Sequence, residues 1–498
     1  MIQRRKFIET GALGLAALAA MSRPAVGQNR GGELARYFTA TTNSAAIPIL
    51  LEQRAPFGWK LAVVKGTGSP PLLLEWPNLP TDADPTHFRI AVGLDERDDK
   101  VVEVFLPTSG RVIGSMELRQ ASQFQLYQIA LNRTDIAEMR KEGLGLRMTK
   151  GADLEILAGG DSIPDALMPH LLVPGRADPM TEYFARMDSL ACVQQFGWME
   201  GCVLDGLLDL PSKPGRNYQK RASDHLALFF NNGRLLYENH LSSPSDGKLY
   251  GIEATLPFAA LARLDPRHPM LDHVVGFWRE KIRPSGLIQD GGHLSSEGAY
   301  TVGYALAEIA RAKNSEELML LALAQVRLRQ AALFDGQVFW RTLEDDGKRE
   351  NRNWARGIAW QLLGMARTLT VAKDREDIGD LILSFRKFAT WAAALQRDDG
   401  LWAVFADEPA LTPDTAGSAG IAAALAIGAN HGWIGPEALS AARKTYVGLQ
   451  AHLTPDGFLG GVSQSNKGGE GLQRGDFRSI YQMGMGLMAQ LIAATHQS

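Results

Sequence analysis

Five short phrases decide the fold: D-G-K-L-Y at 246–250, S-G-L-I at 285–288, D-G-Q-V-F at 335–339, D-G-L-W at 399–402 and D-G-F-L at 456–459. Each sets a turn pair before a short apolar or aromatic stretch. Glycine accepts the left-handed backbone of such a turn, so each phrase predicts a turn opening a short strand. The phrases recur roughly every 40 to 65 residues, a period typical of helical repeats. After each comes a loop and then a helix rich in small and apolar residues. These helices are expected near Trp198, Gly251, Ser296, Ala355, Ala416 and Phe477. More polar, amphipathic helices are expected at 217–230, 269–281, 315–333, 374–396 and 436–453, and residues 181–195 can supply a sixth. Six apolar and six amphipathic helices predict an (α/α)6 barrel over 180–498. Only an inner ring buried on all sides explains a run such as A-G-S-A-G-I-A-A-A-L-A-I-G-A at 416–429. The alternative, an open helical solenoid, would lack a focal pocket.

Upstream the period shortens to two. Residues 35–160 read as a β-sandwich, with strands at 88–94, 101–106, 111–118, 124–131, 144–149 and 154–157 separated by turn residues. Residues 161–179, with several prolines and glycines, read as a linker. Residues 1–28 open with Arg4, Arg5, Lys6, Phe7 and Ile8. A mild Gly/Ala-rich core follows, and then the small-residue cleavage candidate Ala25-Val26-Gly27. This reads as a twin-arginine signal peptide and predicts export to the periplasm or beyond.

At 498 residues the chain needs more than one domain. A formal net charge of −3 leaves no basic footprint, so nucleic acid is not an expected partner. No membrane is expected once the leader is removed, and a homodimer is left open. Cys192 and Cys202 are expected as buried thiols, with a single disulfide as the alternative. No metal-ligand spacing and no phosphate-binding glycine loop stands out, so neither metal nor cofactor is expected.

Chemistry concentrates where the six inner helices start. Residues 351–360 read N-R-N-W-A-R-G-I-A-W. Asn353 is a candidate helix cap and Arg356 falls in the first helical turn. A cation beside free helix N–H groups invites an anion, with Trp354 and Trp360 as flat walls for a sugar. The other helix entrances carry Trp198, Glu200, Glu253, Glu297, Ser418 and Arg478, and the loops ahead add His293, Trp340, Arg341, Trp402 and Asp414. Two glutamates, several arginines and several indoles on one rim suit acid/base work on an acidic sugar. Each glutamate alone is equally well read as a dipole partner of its helix.

The segment W-A-R-G-I-A-W at 354–360 resembles the W-x-R-G-N-G-W signature of the unsaturated glucuronyl and rhamnogalacturonyl hydrolases, glycoside hydrolase families 88 and 105. D-G-L-W-A-V-F-A-D-E-P at 399–409, T-A-G-S-A at 415–419 and H-G-W-I at 431–434 are similar to that group as well. The resemblance covers about 180–495 and implies an (α/α)6 barrel. It also implies removal of a terminal 4,5-unsaturated uronic acid by protonation at C4 and addition of water at C5. It places the essential acid at Glu297 and a second acid at Glu253. Arg356, Trp354, Trp360 and Trp198 fall on its substrate-binding positions, with Arg341, His293, Trp402 and Ser418 beside them. Both family aspartates appear here as glutamates, Asn-Gly of the signature is Ile358-Ala359, and a family histidine is Arg341. These departures leave a saturated glucuronidase, like those of family 154, as the rival reading. A polysaccharide lyase and a non-catalytic uronate-binding protein are further alternatives.

Overall fold

The structure, a computed structural model, describes residues 32–42, 53–213 and 215–496. The expected leader at 1–28 lies outside them. The N-terminal region is rich in antiparallel sheet. Strands Arg36–Thr39, His170–Val173, His87–Ala91 and Leu126–Ala130 form one sheet in that order. Strands Thr41–Thr42, Leu72–Glu75, Leu144–Lys150, Lys100–Phe105 and Val112–Leu118 form a second, and Leu154–Gly159 pairs with Lys60–Val64. Every strand read from the period-two pattern is present, with its ends moved by a few residues. The alternation explains why: Phe88 and Ile90, Val102 and Val104, Met116 and Leu118 all point into one apolar core shared by these sheets.

The expected linker at 161–179 needs correction. Its His170–Val173 segment is an interior strand of the first sheet, with all four residues buried. The flanking Pro169 and Pro174 suggested a connector. They instead end a four-residue strand that is apolar enough to be covered on both faces.

From Pro179 onward the chain is mainly helical, with short strands in the loops between helices. The inner set is Trp198–Asp209, Ile252–Thr255 continued by Pro257–Leu264, the π-helical turn Ala299–Tyr304 continued by Ala305–Lys313, Ala355–Val371, Thr415–Asn430 and Met483–Thr495. The outer set is Pro179–Met187, Tyr218–Phe229, Met270–Glu280, Glu316–Leu333, Gly379–Ala393 and Glu437–Gln450. Each inner helix touches the next, and the last touches the first, so the ring is closed. Small residues permit that closure. A Cβ on Gly486 would lie 2.3 Å from the Cys202 carbonyl oxygen, and one on Gly364 would lie 2.3 Å from the Ala299 carbonyl carbon. First turns meet first turns, as in Arg356 with Asp414, and last turns meet last turns, as in Arg367 with Asp209 and Gln490. The inner helices therefore run parallel, with their N-termini at one mouth.

The five turn glycines take the left-handed backbone that the repeated phrases require, with φ of 70°, 83°, 105°, 84° and 86° at Gly247, Gly286, Gly336, Gly400 and Gly457. The last of these turns also fastens the two regions together. Asp456 accepts two hydrogen bonds from the Arg89 guanidinium of the first sheet, at 2.7 and 3.0 Å, and one from Tyr37 at 2.9 Å. Neither partner of that ion pair is exposed. Burial would raise the Asp456 carboxyl. The Arg89 charge and hydrogen bonds outweigh it and hold the group well below the usual range. Cys192 and Cys202 are buried free thiols. Among the described residues, no helix is long and apolar enough to cross a membrane, and no cluster of His, Cys, Asp and Glu is arranged to hold a metal ion.

Candidate active site

The strand Trp340–Glu344 runs antiparallel to His293–Ser295, with Thr342 opposite Ser295. The pairing continues one step: Ser296 N–H donates to the Arg341 carbonyl at 2.9 Å. The chain then turns, and Glu297 comes to face the Arg341 side chain. Arg341 Nη1 donates to Glu297 Oε1 at 2.9 Å, and Arg341 Nε donates to Asn351 Oδ1 at 3.0 Å. Both ion-pair partners are buried. Glu297 Oε2 is buried as well, and no protein group donates to it among the described residues. A second guanidinium lies behind: Arg329, fully buried, donates to the Ser295 carbonyl at 3.2 Å and would meet any side chain on Gly298. Immediately after Glu297 the inner helix opens with a π-helical turn, a feature often found beside functional groups.

Glu253 lies in the short 3₁₀ turn Ile252–Thr255, which is held by Ile252 N–H donating to Asp290 Oδ2 at 2.8 Å. It is partly exposed. Glu253 and Glu297 are close enough to titrate as a pair, and their surroundings push them in opposite directions. Burial and then the Glu297 charge raise the Glu253 carboxyl, against the opposing fields of Lys467 and Arg341. Burial would raise Glu297 too, but the Arg341 charge and hydrogen bond outweigh it and hold that carboxyl below its ordinary value. One acid tends to keep its proton while the other tends to lose it, the usual division between an acid and a base in one site.

An aromatic cluster sits among the inner helices Trp198–Asp209, Ala299–Tyr304 and Ala355–Val371. Trp198 meets Trp360 edge to face, with ring centroids 5.2 Å apart, and Tyr300 stacks on Trp360 at 6.1 Å. Trp198 is partly exposed, whereas Trp360 is almost fully buried. Beside Arg341 opens a cleft of about 570 Å³, with Trp340, Asn351, Phe405, Asn466 and Arg474 among its walls.

Several expected site residues are elsewhere engaged. Asn353 does not cap its helix: it has φ of 51°, and its Oδ1 accepts from Phe339 N–H at 2.8 Å. Trp354 holds the cap position, and the Ala355 N–H donates to the Val404 carbonyl, so this helix entrance is not open to an anion. Arg356 is buried against Asp414, Nε to Oδ2 at 3.2 Å, and donates to the Ser463 carbonyl and hydroxyl. Trp354 is buried with Val404 and Phe405, its Nε1 donating to Gln473 Oε1 at 3.1 Å. Trp402 is fully buried, its Nε1 donating to the Ala392 carbonyl at 2.7 Å. Ser418, also fully buried, accepts from Trp402 N–H and donates to the Asp414 carbonyl, both at 2.8 Å. His293 is half-exposed and paired with Glu344 at 2.6 Å. Glu200 is buried in an ion pair with His225 at 2.8 Å. Two residues missed in the sequence, Lys467 and Arg329, act on the pair. Arg329 gave no signal there, being one arginine on an amphipathic helix. Lys467, in the Gly-flanked turn N-K-G-G, was legible only as a surface loop.

Residues 275–496 match the family described as Glycosyl Hydrolase Family 88. No curated protein matches the chain. Among solved structures, a possible GH105 member from Salmonella enterica serovar Paratyphi A is similar, with a TM-score of 0.55 at 16% identity, covering 64% of this chain and 92% of that one. A second, from Klebsiella pneumoniae, gives a TM-score of 0.53 at 18% identity, covering 60% and 82%. A family 105 glycoside hydrolase from C. acetobutylicum gives 0.55 at 16%, covering 64% and 100%. At these identities the structural likeness shows the shared helical fold alone, while the family match points to a glycoside hydrolase. Its span, just under half of the chain, holds Glu297, Arg341 and Lys467, and there the helical region resembles the glycoside hydrolases of families 88 and 105.

Proposed function

We propose that this enzyme removes a terminal 4,5-unsaturated uronic acid from acidic oligosaccharides by acid-catalysed hydration. The observation that carries the reading is a buried Glu297 paired with Arg341 at 2.9 Å, while Glu253 has no cation in contact among the described residues and is pushed the opposite way by its surroundings. Glu253, pushed up, gives its proton to C4 of the enol ether. Glu297, kept ionised by Arg341, takes a proton from the water that adds at C5. The hemiketal so formed opens and releases the remaining sugar. Proton exchange with solvent resets the pair. The family resemblance placed the essential acid at Glu297 and left open which glutamate donates the proton; the electrostatics favour Glu253. The cleft beside Arg341 takes the sugars that remain attached. The Arg4-Arg5-Lys6-Phe7-Ile8 leader supports export by the twin-arginine route.

The same split suits direct hydrolysis of a saturated glucuronide, with Glu253 protonating the leaving oxygen and Glu297 as its anionic partner. One assay separates the two. Lyase-generated oligosaccharides and saturated glucuronides are offered in parallel, with ultraviolet absorbance and released sugar followed together. Hydration removes the absorbance of the C4–C5 double bond. Release of glucuronate from the saturated substrate alone supports the second reading, and turnover of neither sinks both.

A further inference from the structure

With Arg356 closed in by Asp414 and Ser463, the cation expected to receive the substrate's carboxylate is unavailable. The rim offers another. Lys467 is exposed in the turn Asn466–Gly468, and its neighbours Asn466 and Gly469 line the Arg341 cleft. Among the described residues its ammonium has neither a carboxylate nor a hydrogen-bond acceptor in contact. Most cations around the cleft are spoken for: Lys348 by Glu350, Arg352 by Asp407, Arg474 by Glu408 and Glu470.

The turn is held by the sheet region. A Cβ on Gly468 would lie 3.0 Å from Gln120 Cγ, so the backbone lies close against that side chain. Gln120 itself has a left-handed backbone, with φ of 51°, and its amide donates to the Arg97 carbonyl. Arg97 in turn donates to the His240 carbonyl, and the His240 ring packs on Tyr250 at 4.8 Å. Tyr250 stands next to the Glu253 turn: a side chain on Gly197 would touch both the Tyr250 hydroxyl and the Glu253 carbonyl. A run of contacts through both regions thus links the Lys467 turn to the Glu253 turn. The fields agree with the geometry. Although its chain is exposed, packing of the turn partly desolvates the Lys467 amine and lowers it, and the strongest influence opposing this is Glu253.

We infer that Lys467, held in place through Gln120 of the sheet region, is the receptor for the substrate's carboxylate. The sheet region then does more than support the barrel: it positions the group that distinguishes an acid sugar from a neutral one. This rests on the uronide reading above and adds the residue that enforces it.

The test compares wild type, Lys467→Met and Lys467→Arg on the uronide that wild type turns over best and on the methyl ester of that uronide. Thermal melts check that each variant folds. In Lys467→Met, KM for the acid should rise roughly tenfold to a hundredfold, the cost of losing one charge-assisted contact, while kcat changes far less. KM for the ester should stay within about threefold, since the ester never had that contact. Lys467→Arg should restore most of the preference for the acid. Equal losses on acid and ester, or an unchanged acid KM, would overturn the assignment. A shifted pH profile with the acid preference intact would overturn it as well, because the lysine would then serve only Glu253. If wild type itself turns over no uronide, the functional proposal fails; if wild type does and Lys467→Met keeps its selectivity, only this assignment fails.

Discussion

The mouth of the barrel has two halves built from the same parts and used differently. On one side the entrances of Ala355–Val371 and Thr415–Asn430 carry Arg356, Asp414, Ser418, Ser463 and Trp402. Every charge there meets its opposite, and the helix entrance is covered by backbone. On the other side Glu253, Glu297, Arg341 and Lys467 leave, among the described residues, a buried carboxylate oxygen without a donor and an exposed ammonium without an acceptor. A folded protein leaves a buried oxygen such as Glu297 Oε2 unmet chiefly where a ligand or water completes it, and an exposed ammonium such as that of Lys467 is free to turn to that ligand. The lesson is that the signature residues of a family can hold a site's wall together, while the groups facing the substrate are those the fold leaves unsatisfied.

The sharpest way to break this comparison is to remove the acids. Glu297→Gln and Glu253→Gln should each lower kcat by about a thousandfold, within the range for a lost general acid or base, and leave KM nearly unchanged. Retention of near-normal kcat by either variant would move the chemistry elsewhere. Next comes Arg341→Met, expected to cost roughly a hundredfold, as for other groups that tune a proton-transfer site. Its pH profile is the more telling readout. Arg341 lowers both glutamates, so its loss lets both rise, and Glu297, its direct partner, rises more. Activity needs Glu297 ionised, so the acid limb of the profile should move to higher pH. An unmoved acid limb would mean that Glu297 is not the group titrating there.

What the sequence disclosed and what it withheld differ by the length of the pattern involved. The ring of helices was legible because small-residue runs and Asp-Gly turns repeat, and each repeat checks the others. Gly457 shows the double constraint: its turn needs positive φ, and its Cβ would lie 2.2 Å from Tyr183 N. The sheet strands were legible from alternation, except His170–Val173, where buried residues on both faces erase the alternation. The acid pair and Arg341 were legible as rim residues. The partners of Arg356, Trp402 and Ser418 were not. Whether a rim arginine meets a ligand or an aspartate is decided across 58 residues of chain, Arg356 to Asp414, and no local pattern records it. Lys467 was withheld for the same reason: it matters through Gln120 and Glu253, both distant in sequence.

On the satisfied half, substitutions should act on stability rather than on turnover. Arg356→Met leaves the Asp414 carboxylate buried and short of its cation, a loss of ~3–5 kcal/mol in unfolding free energy. Adding Asp414→Asn removes the stranded charge, so the double variant should recover part of that loss in a denaturation titration. If the single variant is as stable as wild type but loses affinity for the uronide, Arg356 faces the substrate after all and the two halves are not distinct.

The smallest effect should come from Ser418→Ala. The hydroxyl accepts from the Trp402 N–H and donates to the Asp414 carbonyl, so alanine strands one buried donor without opening a cavity larger than one oxygen. The expected cost is ~1–2 kcal/mol, set by the unsatisfied N–H. Because Ser418 is sealed beneath Trp402 and next to the Arg356 pair, kcat and KM should match wild type at temperatures where both proteins are folded. A raised KM without a loss of stability would show that the hydroxyl reaches the sugar. The satisfied half of the rim would then have to be redrawn as part of the binding surface.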